Sequence, residues 1–224
     1  MAGSQQPRVT GGFAVERLRA HARGMTTLSD IRDLVRLDLH DADPASYRWS
    51  DDQLDRHIGH AVAEVNLLAP RQLSSTMATT AGDRELDLSS LTGLIGVERV
   101  EFPADYYPPC VARFERWGAT LTLLLSREPE GQDARIFYTA SHTLDDAGST
   151  LPPELESLVA MGAAAFAVTE RAVFTAEELN TGGPSVPEQL AAWGRARETA
   201  FRQLLRECTR RRRTSSRRAV LPPV

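Results

Sequence analysis

The stretch that most constrains this chain is Leu158-Val-Ala-Met-Gly-Ala-Ala-Ala-Phe-Ala-Val168, eleven residues without a polar side chain. Ala and Met favour helix, whereas a strand buried on both faces would be richer in β-branched residues. Leu151-Pro-Pro-Glu-Leu-Glu156 leads into it, with proline near the first turn and acids beside the positive end of the helix dipole. A membrane-spanning helix needs about 20 apolar residues, so this one is too short to cross a bilayer. A helix apolar all round must then be enclosed by protein. Its small residues, Gly162, Ala163, Ala164, Ala165 and Ala167, let neighbouring backbones come close. The stretch 153–174 reads as a central helix against which the rest of the chain packs.

The covering elements are legible on both sides. Thr27 and Asp30 have the spacing of a capping box, and Leu28, Ile31, Leu34 and Val35 lie on one helical face that fades near Leu39. Ser50-Asp-Asp-Gln53 repeats the signature, with Leu54, Ile58, Ala61, Val62, Val65 and Leu68 as the buried face and Pro70 as the stop. These two helices form a hairpin that needs a third partner. Ser185-Val-Pro-Glu-Gln189 opens a final helix, with Leu190, Trp193, Ala196, Ala200, Phe201 and Leu204 on its packed side. Asn180-Thr-Gly-Gly-Pro184 separates it from the central helix.

Between residues 74 and 141 the period changes to that of strands. Ser75–Thr80 and Glu85–Leu88 read as a hairpin around Gly82-Asp83, followed by strands at 94–102, 111–117, 119–125 and 134–139. The expected fold is therefore α+β. A helical bundle of about four to five helices carries an inserted antiparallel sheet of about five strands, and the basic termini are flexible. The boundaries are an N-terminal arm (1–24), a helical hairpin (25–73), the β-insert (74–141), the C-terminal helices (150–208) and an Arg-rich tail (209–224). Met25, which opens the better-patterned segment, is an alternative start.

Charge divides the chain more sharply than its net −4 suggests. Every one of its 26 basic residues is Arg. Residues 206–224 carry +6 and residues 1–24 carry +3, leaving −13 on 25–205. A conventional nucleic-acid binder puts its positive charge on the fold, and here the fold is acidic. Cys110 and Cys208 lack metal-ligand spacing and read as reduced thiols. No signal peptide is evident, so the chain is expected to be made in a cytoplasm.

Candidate chemistry is sparse. His57 and His60 stand three apart on a helix near Asp52 and Asp55, but no third metal ligand is evident and the pattern places them on a surface face. His142, with Asp145 and Asp146, lacks a nucleophile motif and reads as turn chemistry. The paired acids Asp51-Asp52 and Glu177-Glu178 fall at helix starts, where the dipole accounts for them. No phosphate loop, dinucleotide fingerprint or zinc spacing occurs, so the expectation is a protein that is not an enzyme and holds no cofactor or metal. Tyr106-Tyr-Pro-Pro109 reads as a contact loop or an ordinary connection. The clearest functional signal is Arg210, Arg211, Arg212, Arg213, Arg217 and Arg218, followed by Ala219-Val220-Leu221. This segment reads as a phosphate-binding patch, as a tail that docks on an acidic protein by adding to a sheet edge, or as a solvated terminus.

The order of elements resembles that of the head–tail connector (adaptor) proteins of tailed bacteriophages and gene-transfer particles. The resemblance spans about residues 25–208. It is carried by Met25–Asp41, Tyr47-Arg-Trp-Ser-Asp-Asp-Gln-Leu-Asp-Arg-His-Ile58, Ile136–Leu144, the alanine-rich helix and Leu179-Asn-Thr-Gly-Gly183. It implies a structural virion protein of the neck, assembled in the host cytoplasm as a ring, typically of twelve copies. Such a ring docks on the portal protein, meets downstream neck or tail-completion proteins and lengthens the channel through which genomic DNA passes without sequence-specific binding. No membrane partner is implied. The tail residues Arg210–Leu221 become the expected partner contact, to portal or to phosphate. An acidic body suits a channel through which DNA slides, because like charge repels the DNA backbone. The alternative is a DNA-binding packaging or regulatory factor that uses the Arg-rich tail. An unrecognised hydrolase would need a polar pocket with perturbed acids.

Overall fold

The structure, a computed structural model, describes residues 26–177 and 186–216, with side chains at 26–173 and 188–212. Four helices, α1 (Leu28–Asp38), α2 (Asp51–Leu68), α3 (Pro153–Glu177) and α4 (Val186–Ser216), are accompanied by nine short strands. The α+β class and the antiparallel pairing expected from the sequence are what the structure shows.

Both expected capping boxes form. Asp30 N–H bonds to the Thr27 hydroxyl while Asp30 Oδ2 accepts from Thr27 N–H at 2.9 Å, and Ser50 and Gln53 exchange the equivalent bonds. Helix α1 stops at His40, which has the left-handed φ of 51°. Its N–H and that of Asp41 turn back to the Leu37 and Arg36 carbonyls, the pattern of a Schellman stop. The loop to α2 is then locked by Arg36, which is almost fully buried. Its guanidinium reaches Asp41 at 2.9 Å, Asp51 at 2.6 Å and the Trp49 carbonyl at 3.1 Å. Five-donor guanidinium geometry suits such a junction, where three acceptors from three chain segments converge.

Helix α3 occupies the centre of the bundle. From Leu158 to Val168 every side chain except that of Met161 is buried, and α1, α2 and α4 all pack on it. Small side chains set the α3–α4 distance. A Cβ at Gly194 would stand 2.5 Å from Thr169 Oγ1, and one at Gly162 would stand 3.1 Å from the Phe201 ring. This close approach shifts the packed face of α4 away from the expected one. Gly194, Phe201 and Leu205 are buried, whereas Trp193, Ala196 and Leu204 face outward. The bulkiest residue near the N-terminal end cannot enter a contact that only glycine fits.

The β-insert also differs from the single sheet expected. Strands β1 (Arg71–Ala78), β7 (Asp133–Ala140), β3 (Leu94–Glu101) and β4 (Val111–Ala112) form one sheet in that order. Strands β2 (Glu85–Asp87), β6 (Thr120–Leu123) and β5 (Phe114–Trp117) form a second. The expected hairpin partners, β1 and β2, therefore part at Gly82, whose φ of +80° makes the turn, and join different sheets. Leu86, Leu121 and Leu123 from one sheet and Val100, Ile136 and Tyr138 from the other share a core separate from that of the bundle. A further two-stranded turn, β8 (Leu144–Asp145) and β9 (Gly148–Ser149), precedes α3.

His142 joins the two units. Its ring lies 3.0 Å from the Thr150 carbonyl and 3.1 Å from that of Ala69, and the His142 backbone N–H donates to Asn66 Oδ1 at 2.7 Å. Ala69 is where the chain enters the insert and Thr150 is where it returns to the bundle, so one imidazole stands between both crossings and, as a neutral ring, donates to one of the two carbonyls. If the α3–α4 approach carries the bundle, Gly194→Leu and Gly162→Leu will each destabilise by about 1–3 kcal/mol through overpacking. Thermal or urea unfolding reads this directly, and unchanged midpoints in both variants would contradict it.

Candidate partner interface

The Arg-rich segment is not a separate tail from residue 209 onward. Helix α4 continues through it to Ser216, which places Arg210, Arg211 and Arg212 on helical turns. Arg213 shares that helix but its side chain lies outside the described residues, as do Arg217, Arg218, Ala219, Val220 and Leu221 altogether. Helix persists here because each Arg is a good helix former and its charge meets the negative end of the helix dipole. Local anchors help. The Thr209 hydroxyl donates to the Leu68 carbonyl at 2.9 Å, tying the helix end to the end of α2. Arg212 reaches Glu154 at 3.1 Å, and Arg211 pairs with Glu207 one turn back.

Glu154 sits in the first turn of α3, and its carboxyl is held below the ordinary carboxylate range. The main cause is a hydrogen bond from its own backbone N–H, and the Arg212 guanidinium adds to it. Arg210 and Arg211 remain solvent-facing. Beside this basic end lies a groove of about 610 Å³, bounded by α2, the first sheet and α4. Leu67, 82% exposed, and Ile95 supply its apolar wall; Glu98 and Arg212 supply opposite charges. The arrangement can bind anionic groups or an extended segment. It places no nucleophile next to a base.

The other sequence candidates are structural. His57 is buried, not on a surface face, with Nε2 3.1 Å from Glu170 Oε2; Arg56 holds the same carboxylate at 2.6 Å. Burial, opposed by Glu170, pushes the His57 ring toward its neutral form. His60 stacks on Phe166 at 4.2 Å between ring centres, so the two imidazoles do not converge on one point. No group of three metal-binding side chains occurs among the described residues. His142 is likewise driven toward neutrality, burial outweighing its two carbonyl neighbours and Arg212 and Arg71 adding to the effect. The loop at Tyr106 and Tyr107 is exposed, as is Trp117 at 91% on the β5–β6 turn. Trp117 escaped the sequence reading, because one aromatic in an alternating strand gives no sign of which face meets water. None of the described helices is long and apolar enough to cross a membrane.

Residues 26–221 match the family described as SU10 adaptor protein. The chain belongs to that family. Among solved structures, the adaptor is similar to a chain in the neck of an empty gene transfer agent (GTA) particle, computed with C6 symmetry. Identity is 18%, over 72% of this chain and 82% of that one, with a TM-score of 0.27. A chain in the virion of a native GTA particle gives 19% identity over 77% and 88%, with a TM-score of 0.28. No curated protein matches the adaptor.

The two buried imidazoles set a pH dependence. Their proton affinities in the folded adaptor lie below the ordinary histidine value, so the unfolded chain binds more protons in the acid range. Stability is then fully present above pH 6.5, the ordinary value, and falls as pH drops through the lowered folded values. The melting temperature should decline between pH 7.5 and 5.5, and the combined His57→Gln and His142→Gln variant should show a flatter decline. An equal slope in that variant would assign the dependence elsewhere.

Proposed function

We propose that the adaptor is a structural virion protein of the head–tail neck, without catalytic activity, which assembles into a ring. The ring docks on the portal and extends the channel through which the genome passes. The observation that carries this reading is the family match over residues 26–221, most of the chain. Charge supports it. The fold is acidic, which keeps DNA moving through a lumen by repulsion, and positive charge is gathered at one end of α4. Arg210, Arg211, Arg212 and Arg213 form the basic rim we assign to the portal contact, with the segment Arg217–Leu221 extending it. Twelve copies, matching the portal, and further contacts with downstream neck or tail-completion proteins belong to the same reading.

Arg clusters also bind nucleic-acid phosphate, and a DNA-binding role makes a distinct forecast. Duplex binding would weaken steeply between about 50 and 200 mM salt as counterions are released. Co-expression with portal protein, followed by native mass spectrometry and negative-stain imaging, separates the two. The expected result is a ring that co-purifies with portal. In the Arg210→Glu/Arg211→Glu variant, both positions being solvent-facing, co-purification should fall at least tenfold while the chain remains folded by circular dichroism. A chain that stays monomeric beside portal, or one whose main partner is duplex DNA, would contradict the proposal.

A further inference from the structure

Two stripes on the outside of the helical bundle match each other. On α2, Arg56, Gly59, Ala63 and Leu67 are exposed and follow one another at steps of three, four and four residues, which keeps them on one helical face. On α4, Trp193, Ala196 and Leu204 are exposed and Ala200 partly so, at the same three steps. A Cβ on Gly59 would meet nothing within 4 Å, so the α2 stripe is open at its middle. An indole and two leucines on outward faces are more than the scattered apolar residues of an ordinary surface.

The stripes also stand at the same height. Arg202 on α4 donates to Glu64 on α2 at 2.8 Å, and the Thr209 hydroxyl donates to the Leu68 carbonyl at 2.9 Å. Residues 138 and 141 apart in the chain are therefore neighbours, and α2 and α4 run parallel. Arg56 and Trp193, Gly59 and Ala196, Ala63 and Ala200, and Leu67 and Leu204 are each 137 apart, which puts partners level to within about one helical turn. They do not meet inside one chain. Ala200 and Leu204 each stand two residues from Arg202, about 200° round α4 from the side that faces α2.

We propose that the α4 stripe of one adaptor copy packs on the α2 stripe of the next. The inference rests on the ring proposed above and names its subunit contact. Rotation about an axis along the bundle moves each copy sideways without changing heights, so all four pairs come together at once. Glycine and alanine at the centre let the helix axes approach to about 8–10 Å. Leu67 and Leu204 bury each other at one end. At the other, the Arg56 guanidinium meets the Trp193 indole, over which Arg197 already lies at 4.9 Å. Each guanidinium brings its own carboxylate, Glu170 for Arg56 and Asp38 for Arg197. Charge agrees beyond the leucines, where α4 continues to the half-exposed Glu207 and α2 is followed by Arg71. The two stripes are different surfaces, so the contact is heterologous, the kind that closes into rings. It leaves the basic end of α4 for the portal.

The test uses full-length chains carrying Cys110→Ser and Cys208→Ala, assembled with portal protein. Chains with Ala63→Cys are mixed with chains with Ala200→Cys and treated with a short bis-maleimide. Cross-links are read on denaturing gels and rings by negative stain from the same sample. Expected are cross-linked pairs joining the two kinds of chain, and a ladder of higher oligomers when one chain carries both cysteines. Leu204→Glu should lower the ring fraction at least tenfold, and adding Leu67→Arg to the same chain should restore it. If circular dichroism shows Leu204→Glu unfolded, the cross-link alone decides. Rings without the cross-link, or cross-links only between chains of one kind, would overturn this inference and leave the ring standing. Absence of both ring and cross-link would remove the ring reading as well.

Discussion

The structure depends on how closely α4 can approach α3. Two glycines and a run of alanines set that distance: Gly194 lies against Thr169 and the Ala165 carbonyl, and Gly162 against Phe201. Close-packed interiors tolerate little added volume, so this contact fixes the position of α4 along its length. The basic end of α4 is thereby held beside α2 and the first sheet, with Thr209 on the Leu68 carbonyl and Arg212 on Glu154. A loosely packed helix would leave those charges unplaced.

The same bundle carries the β-insert through a narrow joint. Chain entry and exit both pass the His142 ring, and the two hydrophobic clusters on either side share no member. Arg36 does comparable work at the opposite end, where α1, the connecting loop and α2 meet on one guanidinium. Polar groups at these joints are expensive to bury unless paired, and both are paired. The result is a subunit with a helical frame and a second, sheet-based core.

Much of the frame was legible in the sequence. The capping boxes at Thr27 and Ser50 are local, so they form as read. The alanine-rich segment is buried because nothing in its composition allows exposure. The remaining features were decided by partners distant in the chain. Trp193 looks like a core residue by period alone, yet Gly194 makes the contact because α3 comes too close for a larger side chain. His57 looks like a surface residue until Glu170, more than a hundred residues away, supplies its partner. The strands of the insert were visible, but their division into two sheets was not, since a turn at Gly82 suits a hairpin and a crossing equally. The Arg run hid a helix, because charge repetition obscures the apolar period while leaving helix propensity intact. The residues that follow Ser216, which carry half of the expected contact, lie beyond the described structure.

If α3 is the element on which the others depend, its amides must be the last to open. Native-state hydrogen exchange of the full-length adaptor measures this residue by residue. Amides from Leu158 to Val168, with those of α4 around Phe201 and Leu205, should exchange together at the slowest rates in the protein, near the global unfolding free energy. Exchange in that stretch faster than in β7, with the sheets persisting while α3 opens, would contradict the central place given to this helix.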